Sequence, residues 1–258
     1  MTFIVTAGPT REYIDPVRFL SNPSTGRMGF AVARAAQCNG HYVVLVAGPV
    51  ALKTPPGVER VDVVSARDML AAVTTALRER ASRGPVALVM TAAVADWRPA
   101  RCAVRKLKKS QMSGVLKLVR NPDILKTLQR EFSAGCLSAP HGIVRVGFAA
   151  ETGAPAAEAA RKCREKGLDL VVGNDVTSPG SGFGTATNRV TFVFPDGSSQ
   201  PLPLLSKFAV ARRIVDFCVR AWKNDPYGSC NNNDSFSKGV ANASEELVQD
   251  DGVHRARL

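Results

Sequence analysis

The stretch FIVTAGPTREYIDPVRFLSNPSTGRMG, residues 3–29, decides how the rest of the chain is read. It opens on an apolar, β-like run, Phe3-Ile4-Val5, that reaches Thr6-Ala7-Gly8. It closes on Ser24-Thr25-Gly26-Arg27-Met28-Gly29, which leads directly into an Ala-rich helical pattern from Phe30 to Gln37. Strand, loop and helix at the head of a chain are the opening unit of a parallel α/β sheet. The loop lies where such folds bind phosphates: small residues let the backbone come close, and the helix N-terminus offers unbonded N–H groups and partial positive charge. The spacing is not GxGxxG. Gly26 and Gly29 are also compatible with tight helix–sheet packing and no ligand.

Composition bounds the rest. The 258 residues are enough for one large domain or two small ones, with a sizeable core. An apolar share of 45% and a charged share of 22% are those of a soluble globular protein. No run of 18 apolar residues occurs, so neither a transmembrane helix nor a membrane partner is expected. The start, MTFIVTAG, has no basic region or cleavage-like site, so no signal peptide is read. Cys38, Cys102, Cys136, Cys163, Cys218 and Cys230 are scattered, without a CxxC pair. That spacing suits neither a zinc knuckle nor a disulfide framework, and a reduced, cytoplasmic protein is the simpler expectation. The formal net charge of +12 suits either nucleic acid or a site for several phosphates. Aromatics are only 6% and no helix-turn-helix, zinc-finger or RNP-like motif appears, so nucleic acid is not expected as a partner.

Downstream, strands and helices alternate. The first helix stops at Asn39-Gly40. Residues 41–48, HYVVLVAG, read as a buried parallel strand. A Pro-rich loop follows, then a strand at 61–64 and a helix from a Ser65-Ala66-Arg67-Asp68 capping box to about residue 82. Val86–Met90 is a fourth strand. Short strands are expected at 115–119, 143–150 and 169–173, with helices at 121–132 and 155–166. Asn121-Pro122-Asp123 reads as a helix start with Asn121 as the cap. A hairpin at 190–205 turns at Asp196-Gly197, and Ser206 caps a last helix, 207–222. This alternation predicts an α/β fold: a doubly wound, mostly parallel, Rossmann-like sheet with helices on both faces and a C-terminal β-hairpin arm. Residues 1–222 are expected to form a single domain. Residues 223–258, with no periodicity, read as a disordered tail.

Several residues carry two readings. Asp96 follows the fourth strand, where ligands of open α/β sheets sit, so it faces a ligand or metal ion, or it is a solvated loop residue covered by Trp97. Residues 101–109, RCAVRKLKK, are a solvated basic face or a loop over a triphosphate. Lys162 and Lys166, four apart, share one helix face, which is bland unless a ligand lies beneath it.

These motifs together resemble phosphopantothenate–cysteine ligase, also called phosphopantothenoylcysteine synthetase, in its bacterial, CTP-dependent type. TAGPTRE, IDPVRFLSN and STGRMGF (residues 6–12, 14–22 and 24–30) resemble the N-terminal block of that family's ligase domain. AAVADWRP (92–99) is similar to its AAVADYRP-type loop, Lys106-Leu107-Lys108-Lys109 to its K-[IL]-K-K element, and residues 121–124 to its NPDI. GFAAET (147–152) with Lys162 and Lys166, NDV (174–176), and Ser206-Lys207 also fit. The resemblance spans about residues 3–222. It departs at Arg27, where Lys is usual (SSGKMG), and at Pro23.

The resemblance implies a catalytic Asn22 that contacts the acyl intermediate. It implies a nucleotide site at Met90, Thr91, Ala92, Asp96, Lys106, Pro122, Asp123, Ile124, Leu125, Phe148, Lys162 and Lys166. It implies a substrate or phosphate loop at Gly8, Ser24, Gly26, Arg27 and Asn174, and Mg²⁺ near Asp96. The implied partners are phosphopantothenate, cysteine and CTP, with a second copy of the chain in a homodimer whose candidate arm is the 190–205 hairpin. A hairpin packed on its own sheet is the alternative. Most bacterial relatives carry an N-terminal flavoprotein decarboxylase. This sequence starts at the ligase strand, so a separate decarboxylase is expected to act on the product. Two competitors stay open: an NAD(P)-dependent Rossmann oxidoreductase, against which the missing GxGxxG counts, and an RNA-binding module, which would bind with steep salt dependence.

Overall fold

The computed structural model describes residues 1–108, 114–151, 155–175, 180–182 and 184–223. Side chains at 150–151, 155–158 and 175 are outside that description. Lys109, Thr152, Val176, Ser178 and the tail beyond Lys223 therefore lie outside the described residues.

The elements alternate as the apolar periodicity requires. The first part of the chain contains β1 (Thr2–Ala7), β2 (Arg11–Tyr13), β3 (Phe19–Ser21), α1 (Arg27–Cys38), β4 (Tyr42–Ala47), β5 (Glu59–Asp62) and α2 (Ala66–Arg80). The middle contains β6 (Val86–Met90), β7 (Trp97–Pro99), β8 (Leu118–Arg120), α3 (Ile124–Ser133), β9 (Ile143–Glu151) and α4 (Pro155–Lys166). Then come β10 (Leu170–Asp175), β11 (Thr187–Asn188), β12 (Val190–Val193), β13 (Ser199–Pro201), β14 (Leu205–Ser206) and α5 (Lys207–Trp222).

Eight strands form one sheet in the order β13-β12-β10-β9-β6-β1-β4-β5. The six from β10 to β5 run parallel, and the β12–β13 hairpin adds antiparallel strands at one edge. From β1 the chain runs outward through β4 and β5, then returns to β6 on the other side of β1. That reversal is the switch point of a doubly wound sheet, and ligands bind in the crevice beyond the strand ends there.

Alternation along β1 sets the layers. Phe3, Val5 and Ala7 pack in the core under α1 and α5, while Ile4 packs in the core under α2 and α3. α4 covers a third group built on Ala149, Val171 and Val193. Burying each large apolar side chain is worth about 1.5–3 kcal/mol, so a one-residue slip of β1, which would swap its faces, is strongly opposed.

Local chemistry explains the boundaries. Ser65 accepts from Asp68 N while Asp68 accepts from Ser65 N, which closes the expected capping box of α2. Ser206 caps α5 by accepting from Ala209 N at 3.1 Å. β5 ends at Asp62 rather than Val64, because its partner β4 ends at Ala47. Val64 instead gives its carbonyl to Arg11 N at 2.8 Å. Asn121 is not the cap of α3. Asp123 is, accepting from Lys126 N at 3.1 Å. The Asn121 amide is used elsewhere, donating to Ala95 O at 2.7 Å and accepting from Arg98. The expected C-terminal hairpin forms over 190–201 and hydrogen-bonds through β12 to β10 of its own sheet. No described helix is long and apolar enough to cross a membrane.

Candidate functional site

The strand order brings three distant segments to the switch point. The first is the loop from β3 into α1. Gly26 is the N-cap of α1 with φ +77°, a left-handed conformation that glycine adopts without a Cβ penalty. No side chain caps this helix. The first-turn N–H groups of Arg27, Met28 and Gly29 therefore have no intrahelical acceptor and face the crevice with the positive end of the helix dipole.

The second segment, Thr91–Trp97, follows β6 and is pinned on both sides. Thr91 Oγ1 donates to Thr6 O at 2.6 Å, Ala92 N to Thr6 Oγ1 at 3.2 Å, Ala93 N to Gly8 O at 2.9 Å and Ala95 N to Thr10 Oγ1 at 3.0 Å. Asn22 Nδ2 reaches Ala93 O and Val94 O, each at 3.2 Å, and so joins the first segment to the second. The third segment, Asn121–Lys126, opens α3 and is tied to the second by Asn121 N to Asp96 O at 2.8 Å.

These segments line a cavity of about 850 Å³. Asn22, Ser24, Gly26 and Arg27 form one wall. Met90, Thr91, Ala92 and Asp96 form the next, and Pro122, Asp123, Ile124 and Leu125 the third, with Phe148 and Lys166 beside them. Asn174, Gly182, Asn188 and Lys207 complete the lining. A cavity this size suits one nucleotide-sized ligand with a smaller partner.

Charge is unevenly compensated. Lys166 Nζ lies 2.9 Å from Asp123 Oδ2. Burial pushes the Asp123 carboxyl up, but Lys166 and the N–H of Lys126 outweigh it and hold it below the ordinary carboxylate value. Lys207 is 8% exposed, and its Nζ donates to Gly182 O at 3.0 Å. Burial, and then the nearby Arg27 charge, lower its ammonium pKa. Asp96 is exposed and pairs with no cation among the described residues. No group of three or more His, Cys, Asp or Glu side chains that could hold a metal occurs among the described residues. Cys38, Cys102, Cys136, Cys163 and Cys218 are free thiols.

Over residues 1–221 the chain matches the model of the DNA/pantothenate metabolism flavoprotein C-terminal domain, DFP. The chain belongs to this family. Its relatives include the coenzyme A biosynthesis bifunctional protein CoaBC of Vibrio vulnificus (strain YJ016), 44% identical over 83% of this chain and 51% of that protein. The CoaBC of Bacillus subtilis (strain 168) is 44% identical over 82% of this chain and 49% of its own length. This chain therefore spans about half the length of these curated relatives. A crystal structure of a CoaBC C-terminal domain is 39% identical, with a TM-score of 0.69 over 87% of this chain and 96% of that one.

Of the site residues read from the sequence, all but Gly8, Lys106 and Lys162 line the cavity. Gly8 lies behind the wall, where its carbonyl accepts from Ala93 N. Lys162 is one turn of α4 before Lys166, outside the lining. Lys106 is exposed, on a segment clipped to the turn after β2. There the fully buried Asp15 accepts from Leu107 N at 3.2 Å, and Arg18 donates to Leu107 O at 3.0 Å. The Arg18 guanidinium holds the Asp15 carboxyl well below the usual carboxylate range. Sequence reading gave no role to Asn188 or Lys207. Two signals for Lys207 were available: the match of Ser206-Lys207 to the family pattern, and a lysine at the first position of a helix, which opposes the helix dipole.

Proposed function

We propose that this chain joins (R)-4'-phosphopantothenate to L-cysteine through an amide bond, with CTP as the activating nucleotide. What carries the reading is one cavity at the switch point. It gathers a helix N-terminus, an amide (Asn22) and two separated cationic ends. The family supports it too, since its curated relatives are proteins of coenzyme A biosynthesis.

The chemistry explains why such a cavity is needed. A carboxylate does not react with an amine at neutral pH, because its leaving group would be oxide. In the proposed first step a carboxylate oxygen of the acid attacks the α-phosphorus of CTP. The bond to the β-phosphate breaks and pyrophosphate leaves. The cysteine amine then attacks the acyl carbon of the acyl-cytidylate, and CMP departs. Lys166, Arg27 and the α1 N-terminus stabilise phosphate charge. Lys106 is assigned to nucleotide phosphate and Lys162 to the nucleotide by resemblance, though neither lines the cavity.

Mg²⁺ bound mainly through phosphates and water needs only one or two carboxylates, and Asp96 is the lining carboxylate that no described cation holds. Asp96 would hold it, and the ion would neutralise charge on the phosphates.

CTP is preferred over ATP in this reading. The base lies between Ala92, Pro122–Leu125 and Phe148. The carbonyls of Ala93, Val94 and Ala95 are already engaged by the amides of Asn22 and Asn121. The Ala92 carbonyl carries no such tether and is the acceptor best placed for a cytosine 4-amino group. We expect kcat/KM for CTP to exceed that for ATP by about tenfold or more under the same Mg²⁺. ATP equal to CTP would overturn the nucleotide assignment. No pyrophosphate release with any nucleoside triphosphate, acid and cysteine would overturn the ligase itself. Stabilisation by NADPH but not by CTP in a thermal shift would favour the oxidoreductase.

A homodimer is also part of the proposal. Val17, Phe19, Trp97, Leu116 and Leu118 are large exposed apolar residues on or beside the β2–β3 and β7–β8 hairpins. An apolar surface of this kind is available for a partner. Light scattering after size exclusion is expected to show a dimer at micromolar concentration, and a monomer would remove this part.

A further inference from the structure

Two residues of the cavity lining, Trp97 and Arg120, have no task in the reaction derived above. They are paired in register across the β7–β8 hairpin. The Arg120 guanidinium lies over the Trp97 ring, 5.2 Å from its centroid. Both residues are exposed, and the Arg120 guanidinium has no carboxylate partner among the described residues. Its backbone is fixed, because Arg98 donates to Arg120 O. Stacking on an indole restrains the arginine stem. It leaves the planar fork of N–H donors open, and that fork takes a carboxylate by two parallel bonds.

The strip Ala93–Asp96 relates this cation to Asn22. The carbonyls of Ala93 and Val94 accept from Asn22 Nδ2. Those of Ala95 and Asp96 accept from Asn121, the first from its side-chain amide and the second from its backbone N–H. Arg120 precedes Asn121 and so stands at the other end of the strip from Asn22. The three residues from Val94 to Trp97 span at most about 10 Å. An arginine side chain and a small amino acid bridge that distance together. Phosphate charge in the proposed reaction is met by Lys166, Arg27 and the α1 N-terminus, and the acid's own carboxylate is consumed in the acyl-cytidylate. The anion still without a cation is the α-carboxylate of the incoming amino acid.

We propose that Arg120, held by Trp97, binds the α-carboxylate of the amino-acid substrate and so selects an amino acid over a simple amine. Bound there, the substrate keeps its amino group free to turn toward the acyl carbon beside Asn22. The inference rests on the ligase reading for the identity of that substrate.

The test compares L-cysteine with cysteamine, the same aminothiol without the carboxylate, on the full chain. Arg120→Met is expected to lower the ratio of kcat/KM for cysteine to kcat/KM for cysteamine by about 5- to 10-fold, because an exposed charged contact is worth less than a buried one. The loss should lie in KM for cysteine, without a matching loss of pyrophosphate release before cysteine is added. Arg120→Lys keeps the charge but not the fork and should recover part of the ratio, and Trp97→Leu should lose part of it. An unchanged ratio in Arg120→Met overturns the inference. Slower pyrophosphate release in the first step with an unchanged ratio makes Arg120 a phosphate cation and overturns it equally. If the parent does not use cysteamine, the cysteine KM, set against the first step, decides in the same way. A parent that forms an amide with neither amine overturns the ligase reading and this inference with it. A parent that forms the amide, with a ratio or cysteine KM that Arg120→Met does not move, overturns this inference alone.

Discussion

Asn22→Asp is expected to release pyrophosphate once per site and then stall. In the structure this residue is a tether, and the proposed reaction adds a second task. Its amide N–H groups hold Ala93 O and Val94 O, which locks the loop before α1 to the loop after β6. Its exposed position on the cavity wall puts the same amide beside the proposed acyl-cytidylate. An ionised Asp has nearly the same volume but can only accept hydrogen bonds. It would face two carbonyl oxygens without a proton to offer them, and would add an anion next to a phosphate. Loss of a donor that stabilises a developing oxyanion costs about 100- to 1000-fold in rate. If that donor acts mainly in the second step, the first step survives and the acyl-cytidylate accumulates. Mass spectrometry of the quenched mutant should then find one acyl-cytidylate per chain, with little amide product. Steady turnover near the parent rate would make Asn22 a simple loop tether.

Gly29→Ala is expected to damage stability and site together. An added Cβ would lie 2.5 Å from Ala7 Cβ, 2.6 Å from Thr91 Oγ1 and 2.8 Å from Thr6 O. None of these is the tip of a flexible side chain, so α1 must move off β1. Overpacking of this kind costs about 1–3 kcal/mol. For a chain of this size that lowers Tm by about 2–4 °C per kcal/mol. The displaced contact includes Thr91 Oγ1 to Thr6 O, the bond that sets the loop carrying Ala92 to Asp96. Nucleotide affinity should therefore fall more than a purely global loss of stability would cause, and this is measurable well below Tm. A variant with parental Tm and parental CTP affinity would show that the helix–strand contact is looser than the structure describes.

The two glycines differ in what they allow. Gly29 allows close helix–sheet packing, and Gly26 allows a helix to begin without a side-chain cap, with its donors facing the cavity. Which glycine does which could not be read from spacing, because it depends on how near β1 and β6 come to α1.

The type and order of the long elements were legible in the sequence, because periodicity, capping residues and turn glycines act within a few residues, whereas the short strands β2, β3, β7 and β11 were not read. The run opening at Phe3, the Ser65 and Ser206 caps and the Asn39-Gly40 stop are of this kind. So was the place of the cavity, since a parallel sheet that reverses direction leaves its crevice at strand ends. Tertiary structure alone decided how the residues there share their hydrogen bonds and charges. Asn121 looked like a helix cap by local pattern, but the loop beside it offered the Ala95 carbonyl, and Asp123 took the cap. Lys106 and Lys162 stand outside the cavity lining while Lys166 reaches Asp123. Lys207 enters the cavity from a helix start far along the chain. A charge finds its partner through distance and burial. The strand order β10-β9-β6-β1 sets both by placing segments far apart in sequence against one another.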